Sequence, residues 1–265
     1  GRTLAGIPPL KIFDSKSNSS TLAPVSVTTA RKQREREARE ALIVDHAQRL
    51  LLKNGFQELN LDELAAAVEY SKGTLYQHFE SKEDITLAVA TRALRERADL
   101  FEHALAFTGR SRERARAIGF ACCHFMVAHP DYFHVEMMLK GPSFWQKASA
   151  QRRQEHRLEA GRVFRAIHRV VLEGETSGDL PKGRLPSEHV ALAMAAITVG
   201  SHIMAQEPDL RLLAGVKDPV RVVRENQDAL LDGFGWRPLL REHDYAAGDR
   251  RIRAEVFPDA SWLRA

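Results

Sequence analysis

The stretch from Asn60 to Asp84 constrains the fold of this chain most strongly, because it contains three helix-start signals in close succession. Asn60, Ser71 and Ser81 can each cap a helix, since their side-chain oxygens accept hydrogen bonds from first-turn amides. Glu63 and Asp84 stand three residues after two of these caps, the spacing of a capping box. Apolar residues at helical spacing follow the first cap: Leu61, Leu64, Ala65 and Val68. The stretch therefore predicts short helices joined by a sharp turn, a helix-turn-helix with its supporting helix.

The middle helix of this stretch, from Lys72 to Phe79, combines core-forming and anion-binding side chains. Leu75 and Phe79 lie four residues apart and so share one face. The other positions carry polar groups: Lys72, Thr74, Tyr76, Gln77 and His78. Gly73 disfavours a helix by about 1 kcal/mol relative to alanine, which indicates that a partner approaches the backbone there. Free amides at a helix N-terminus favour phosphate as that partner. The alternative is a solvated surface helix that happens to contain a glycine.

The run Ser71-Lys72-Gly73-Thr74-Leu75-Tyr76-Gln77-His78-Phe79 resembles the DNA-binding module of the TetR family of bacterial transcriptional regulators. The flanking residues share the resemblance, which covers roughly Arg39 to Val89: Gly55-Phe56, Leu64-Ala65 and Ser81-Lys82-Glu83. The residues that the resemblance assigns to DNA are Asn60, Ser71, Lys72, Gly73, Thr74, Tyr76, Gln77, His78 and Lys82.

One position departs from the family pattern. Where the family usually has Ala-Gly-Val before the capping serine, this chain has Val68-Glu69-Tyr70. The loss of the turn glycine predicts that Glu69 adopts a left-handed conformation at some cost, or that the turn is built differently.

The charge of the chain is unevenly distributed. Its 265 residues carry a net charge of +4, with a pI of about 9.2, which is typical of a protein with an anionic partner. Between residues 41 and 85, however, the basic residues are Arg49, Lys53, Lys72 and Lys82. The acidic residues there are Asp45, Glu58, Asp62, Glu63, Glu69, Glu80, Glu83 and Asp84. Any DNA-binding face must therefore be local and aided by helix N-termini and by upstream basic residues.

The N-terminal part divides into an arm and a polar helix. Residues 1–27 contain Pro8-Pro9 and a polar Asn-Ser-Ser-Thr run without periodicity, which predicts a flexible arm. A helix can start at Thr28 or Thr29, and the run from Arg31 to Arg36 is too polar to bury any face. It is either a basic extension that contacts DNA phosphate or the minor groove, or a solvated helix held by internal ion pairs.

The later sequence is helical throughout, without strand-like alternation. An apolar stripe from Ile85 towards Leu105 predicts a connector helix, and further helices follow with breaks at His129-Pro130 and Gly141-Pro142. We predict an all-α fold: an N-terminal three-helix helix-turn-helix module, residues 28–84, followed by a larger helical effector-binding and dimerisation domain, residues 85–235. Residues 236–265 would form a C-terminal extension.

Small residues between Val190 and Ala205 indicate a helix interface. A helix that is apolar nearly all round must be covered on more than one side, and small side chains permit close approach. We therefore predict a two-fold dimer interface in which this helix pairs with Val220–Phe234. Its residues would be Ala193, Ala196, Ile197, Gly200, Met204 and Leu230. The alternative is an ordinary core helix of a monomer.

The effector site is predicted from the requirement that it touch the connector. A ligand can act as a switch only if it binds one arrangement of the helices more tightly than another. A site beside the connector helix would shift the Lys72–Phe79 helix of the DNA-binding module directly. We expect a largely apolar effector enclosed by Phe125, His129, Tyr132, Met137, Met138, Trp145 and His168. His129 and His168 would orient the ligand's polar end, unless each is a hydrogen-bonded core histidine.

A cluster of cysteine and histidine residues offers the main competing site: Cys122, Cys123, His124, His129 and His134. Its spacing matches no recognised metal site, and thiols among apolar neighbours more often fill a core than sense redox state. The adjacent cysteines are poorly placed for a disulfide, which fits a reducing compartment. Enzymatic motifs such as a phosphate-binding glycine loop or a serine nucleophile elbow do not appear, so we expect no enzyme, cofactor or metal.

Together these features predict a sequence-specific DNA-binding transcriptional regulator that acts as a homodimer. It would repress from a palindromic double-stranded operator until a small effector releases it. The alternative is a helical ligand- or partner-binding protein that has lost operator recognition, which the acid-rich module and the missing turn glycine favour. No apolar run approaches the roughly 20 residues of a membrane span and no signal peptide is visible, so we expect a cytoplasmic protein without membrane contact.

Overall fold

A computed structural model describes residues 27–130, 132, 135–136, 139 and 142–258. In these residues the fold is helical and contains no strand, as the sequence predicts. The helices are α1 Val27–Asn54, α2 Leu61–Ala67, α3 Lys72–Tyr76, α4 Lys82–Ala104, α5 Ser111–Ala128, α6 Pro142–Lys147, α7 Ala150–Ser177, α8 Ser187–Gln206, α9 Pro208–Leu213, α10 Pro219–Gly233 and α11 Ala246–Val256, with a 3₁₀ helix at Leu240–Glu242.

The chain forms two compact units, Gly1–Glu40 and Ala41–Ala265. In the first unit, the described residues begin with α1 at Val27, so nearly all of the predicted N-terminal arm lies outside them. The described side chains up to Glu40 are exposed or half-buried. Arg31 pairs with Glu35 at 3.4 Å, and Gln33 donates to Glu37 at 2.8 Å. This part of α1 is thus a polar helix supported by contacts one turn apart.

The three predicted caps start the helices of the second unit. Asn60 Oδ1 accepts from the amide of Asp62 at 2.8 Å, and Ser71 Oγ accepts from the amide of Thr74 at 3.1 Å. Ser81 Oγ accepts from the amide of Asp84 at 3.1 Å and begins α4. Each cap satisfies a first-turn amide that has no partner within its helix. The chain can therefore turn sharply between short helices.

Glu69 adopts the left-handed conformation, the first of the two outcomes that the missing glycine predicted. Its φ is 56°, the one positive value at a non-glycine residue in the part of the chain that the structure describes. Its amide donates to Ala66 O at 3.2 Å, and the Tyr70 amide donates to Ala65 O at 2.9 Å. These two bonds form the Schellman motif that ends many helices. The turn is therefore kept, and the backbone of a glutamate is strained to make it.

The core beneath the module continues onto α4. Many of its buried apolar residues come from α1 to α4, among them Ile43, Ala47, Leu51, Leu64, Leu75, Phe79 and Ile85, and later residues such as Phe125 and Phe144 complete it. Arg92 on α4 pairs with Asp45 and bonds Gln48, both on α1. α4 is thus the connector that the sequence predicts, fixed to the module by packing and by polar contacts.

A second core lies among α4, α5, α7, α8 and α10, and it includes the C-terminal segment. Trp236, Ile252 and Phe257 are buried in it. Arg112 on α5 is fully buried and donates to Asp232 Oδ1 and Trp236 O, both at 2.6 Å, which holds the segment in place. Residues 236–258 are thereby part of this helical body.

Two features differ from the sequence-based prediction. The helix predicted from Lys72 to Phe79 ends at Tyr76, and Gln77 and His78 form a turn. By length and composition alone, α8 could cross a membrane, contrary to our expectation that no apolar run approaches that length.

Candidate nucleic-acid interface and internal cavity

The polar side of α3 lies on the surface. Ser71, Lys72 and Gln77 are exposed, and the Tyr76 side chain is 51% exposed although it is aromatic. A Cβ added at Gly73 would meet Ser71 Oγ at 3.6 Å, an ordinary contact, so packing within the chain does not require this glycine. Leu75 and Phe79 are buried beneath the same segment. This arrangement leaves hydroxyl, amide and ammonium groups directed outwards around an open backbone, which suits a phosphate-bearing partner.

Both cations near this surface have partners within the chain. Lys72 Nζ lies 3.0 Å from Asp62 Oδ2, and this hydrogen bond raises the pKa of Lys72. Lys82 Nζ donates to Gln57 O at 3.3 Å and lies 4.7 Å from the centre of the Phe56 ring. Because the Lys72 pair is exposed, a phosphate can replace Asp62 at small cost.

The end of α3 contacts the larger helical part of the molecule, which consists of helices α4 to α11. Asp84 accepts from the amides of Glu80 at 3.1 Å and Ser149 at 2.7 Å. Arg152 on α7 donates to His78 O at 3.3 Å and lies 4.7 Å from the Phe79 ring centre. His78 itself is half-buried, so its ring has less access to a partner than the side chains of Tyr76 and Gln77. The start of α7 therefore holds the exposed polar segment in place.

A cavity of about 250 Å³ lies within the larger helical part. Helices α4, α5, α7, α8 and α10 supply its walls, and its apolar lining includes Phe101, Ile118, Phe120, Val163, Ile167 and Met194. Cavities of this kind, mostly apolar with a few polar groups, are typical of small-molecule sites.

Charged groups meet the cavity at two places. At one, Arg97 Nη1 and Nη2 donate to the Glu136 carboxylate at 3.1 and 2.8 Å. At the other, Arg116 pairs with Asp228 and binds Asp249 with 2.8 Å bonds to both oxygens. Despite burial, the carboxylates raise the pKa of both arginines, which stay charged. These arginines were not identified from the sequence, although Arg97 interrupts the apolar stripe of the predicted connector.

The predicted effector-pocket residues that the structure describes do not line this cavity. Phe125 and Tyr132 are buried and stack at 6.1 Å, and His129 lies beside both. Their rings fill space beside α4 by packing on each other. Trp145 donates to Leu139 O at 2.8 Å, and His168 Nε2 lies 2.9 Å from Ser187 Oγ. Met137 and Met138 lie outside the described residues, and the predicted pocket itself stays a prediction.

Cys122 and Cys123 are buried free thiols on α5, and Cys122 lies in the second core. Burial raises the pKa of Cys122 to about 11 and also raises that of Cys123. Thiols held in the protonated form are poor nucleophiles and poor metal ligands.

The predicted interface residues on α8 are partly exposed. Ala196 is exposed, Met204 is 55% exposed, and Ala193 and Gly200 are half-buried. Ile197 and Leu230 are half-buried and also line the cavity. α8 thus has one side towards the cavity and one side towards solvent.

The helices and surfaces described above define a helix-turn-helix DNA-binding regulator whose module is joined to further helices. A sequence model described as "Bacterial regulatory proteins, tetR family" matches residues 43–89. No curated protein matches the chain. Residues 43–89 therefore form the tetR-type DNA-binding module that the resemblance predicted, and the protein is a DNA-binding transcriptional regulator.

Solved structures share the fold at low sequence identity. The TetR-family regulator PfmR from Thermus thermophilus is 21% identical, with a TM-score of 0.55 over 72% of this chain and 97% of PfmR. A tetR-family regulatory protein from Rhodococcus RHA1 is 17% identical, with a TM-score of 0.58 over 75% and 97%. The fatty acid degradation regulator FadR from Bacillus halodurans is 14% identical, with a TM-score of 0.56 over 73% and 98%. The arrangement of the larger helical part is therefore also that of these regulators.

Proposed function

We propose that the protein is a cytoplasmic, non-enzymatic repressor that binds a palindromic operator as a homodimer and is released by a small effector. The observation that supports DNA recognition is the exposed polar segment from Ser71 to His78 on a capped, sharply turned scaffold. A two-fold dimer presents two such segments, which fit successive major grooves one helical turn apart. Phosphate contacts from Lys72, Thr74, Tyr76 and Lys82 would position the module, and Gln77 would reach base edges.

The dimer interface that we propose is the solvent side of α8. Apolar residues recur along it at helical spacing: Leu192 at 60% exposure, Ala196, and Ile203 at 37% exposure. Contiguous apolar stripes on a soluble protein favour association, and α10, packed beside α8, would complete a symmetric bundle. Covering this stripe also explains why a helix of such apolar composition is mostly unburied within one chain.

The effector would bind in the 250 Å³ cavity, because α4 forms both a cavity wall and the edge of the DNA-binding module. Arg97 and Phe101 of α4 line the cavity, whereas Ile85 of the same helix lies in the module core. A ligand that fits one placement of α4 better than another would change the distance between the two Ser71–His78 segments of the dimer. The cavity thus replaces the aromatic cluster around Phe125 as the effector site that we favour.

The N-terminal part of α1 supplies positive charge that the module lacks. Lys32, Arg36 and Arg39 stand at i, i+4 and i+7, which places them on one helix face. No ion pair of Lys32 or Arg36 is formed among the described residues. We infer that this face binds DNA phosphates that flank the operator core.

A mobility-shift assay with DNA from upstream of the protein's own gene tests this function. The wild-type protein should retard a discrete fragment, and Gln77→Ala should relax the preference for one or two base pairs. Lys32→Ala with Arg36→Ala should weaken binding to all fragments and reduce the salt slope by about two units. A matched double variant of Glu37→Gln and Glu40→Gln, which leaves these cations in place, should not weaken binding. Equal retardation of every fragment by the wild-type protein would contradict operator recognition.

A further inference from the structure

Arg97 lines the cavity and has one buried polar group without a partner among the residues that the structure describes. The residue is only 7% exposed, and its guanidinium lies 5.5 Å from the Phe125 ring centre. Both Nη groups donate to Glu136, but the buried Nε–H has no acceptor among the described residues. Buried donors in folded proteins are nearly always paired, so this N–H is a ready contact for an oxygen atom of a ligand.

Other polar residues that line the cavity have partners among the described residues. Thr198 Oγ1 donates to Met194 O at 2.8 Å and accepts from Gln227 Nε2 at 2.9 Å. Arg224 pairs with Asp249 and lies 4.1 Å from the Phe120 ring centre. Cys122 is a neutral thiol beside Arg97 and Glu136. The ligand's polar atom is therefore expected at the Arg97 end, with its apolar part towards α8 and α10.

The charges around the cavity compensate one another. The arginines are Arg97, Arg116 and Arg224, and the carboxylates that pair with them are Glu136, Asp228 and Asp249. A ligand carboxylate at Arg97 would meet a guanidinium already neutralised by Glu136 and would be repelled by that carboxylate. A ligand cation at the same place would be repelled by the positive charge of Arg97. Either charge would lose its hydration on entry without gaining a free counter-charge.

We propose that the effector is an uncharged, largely apolar small molecule whose carbonyl, ester or ether oxygen accepts a hydrogen bond from Arg97 Nε. This assignment rests on the proposed function, since it specifies the ligand of the same cavity. Because Arg97 belongs to α4, the ligand contacts the connector directly. Glu136 sets the selectivity by keeping the local charge at zero.

Three probes with the same alkyl chain test the ligand class on the full-length protein: methyl octanoate, octanoate and octylammonium. Isothermal titration calorimetry should show binding of methyl octanoate, with the two ions bound roughly tenfold or more weakly. Tighter binding of octanoate or octylammonium than of the ester, or binding of no probe up to its solubility limit, would overturn the proposal.

Glu136→Gln tests the role of the charge balance, because glutamine keeps an acceptor for Arg97 but removes the negative charge. The order of affinity should invert, with octanoate bound more tightly than the ester. Glu159→Gln is the matched control: Glu159 pairs with Arg95 at 3.0 Å and Arg162 at 2.9 Å but does not line the cavity, so the wild-type order should persist. An unchanged order in a folded Glu136→Gln variant would overturn the proposal. If circular dichroism shows that this variant is unfolded, the wild-type probe series decides alone.

DNA release is measured separately from binding. Methyl octanoate that binds as expected but leaves operator affinity unchanged would contradict the proposed effector response while supporting the ligand class. DNA release by octanoate but not by the ester would support the proposed effector response and would contradict the proposal that the effector is uncharged.

Discussion

Glu69 shows how a single backbone angle links sequence to stability. A left-handed φ at a residue with a Cβ costs about 1–2 kcal/mol, whereas glycine adopts it freely. Glu69→Gly should therefore increase the free energy of unfolding by about 1 kcal/mol, after allowing for the greater freedom of glycine in the unfolded chain. Urea denaturation of the purified protein measures this.

Glu69→Ala is the control, because it removes the same charge but keeps the strained conformation. It should not stabilise the protein, although both variants should bind DNA somewhat more tightly through the lost negative charge. Equal stability of the glycine and alanine variants would show that φ at residue 69 carries no strain.

The exposed Lys72–Asp62 pair predicts that Lys72 releases Asp62 when it binds a DNA phosphate. Asp62→Asn frees the ammonium and should raise affinity for operator and random DNA alike, by roughly two- to fivefold given the strength of an exposed pair. Lys72→Gln should lower both affinities and reduce the salt slope by about one unit. Fluorescence anisotropy at several salt concentrations measures these effects.

Glu63→Gln separates the ion pair from the overall charge. Glu63 lies in the same first turn of α2 as Asp62 but forms no contact with Lys72. Its neutralisation should raise affinity less than Asp62→Asn does. If the two variants behave alike, Lys72 does not exchange Asp62 for phosphate.

At the scale of elements, His156 couples α7 to α4. Its Nδ1 lies 3.3 Å from Thr91 Oγ1, and its ring is 5.3 Å from that of Trp145. Burial lowers the pKa of His156 from 6.5 to about 4. Between these two pH values His156 is therefore neutral in the folded protein and protonated in the unfolded chain. The stabilising effect of neutral His156 is complete above pH 6.5 and is lost as the pH falls towards 4.

The expected slope follows from this one proton. Stability should fall by at most about 1.4 kcal/mol per pH unit through His156 in this window, less because the ring is partly exposed. His156→Gln should flatten the fall in denaturation experiments from about pH 7 to about pH 4, whereas His189→Gln, an exposed position on α8, should not. A wild-type slope in His156→Gln would exclude this residue as its source.

The sequence predicted the helices wherever local chemistry decides them. Asn60, Ser71 and Ser81 act as caps through contacts within a few residues, and the Glu69 conformation follows from the length of the turn. The cavity could not be predicted in this way, because Arg97 and Glu136 meet only after α4 and a later segment pack together. Aromatic residues such as Phe125 suit both a pocket wall and a packed core, and local sequence does not distinguish the two.

For the whole molecule, the proposed dimer predicts that a buried charge on the α8 stripe separates the protomers. Ala196→Asp and Leu192→Asp should each give folded monomers, since an unpaired carboxylate in the interface costs several kcal/mol. Sedimentation velocity measures the association state and circular dichroism the helix content.

Leu158→Asp is the matched control, because Leu158 is similarly exposed, at 56%, but lies on α7. It should leave the dimer intact. If the α8 variants remain dimeric and bind DNA normally, while Leu158→Asp dissociates, the two-fold axis passes through α7.

The central claim is that the module from residue 43 to 89 still reads a DNA sequence, despite its excess of acidic residues and its missing turn glycine. Selection of bound fragments from random DNA, followed by anisotropy titration at fixed physiological salt, tests it most directly. We expect a palindromic site that binds two protomers at least roughly a thousandfold more tightly than a scrambled duplex. We also expect Tyr76→Phe to weaken both complexes by a similar factor. Recovery of no common sequence, with selected and scrambled duplexes bound equally, would show that the module does not read a DNA sequence.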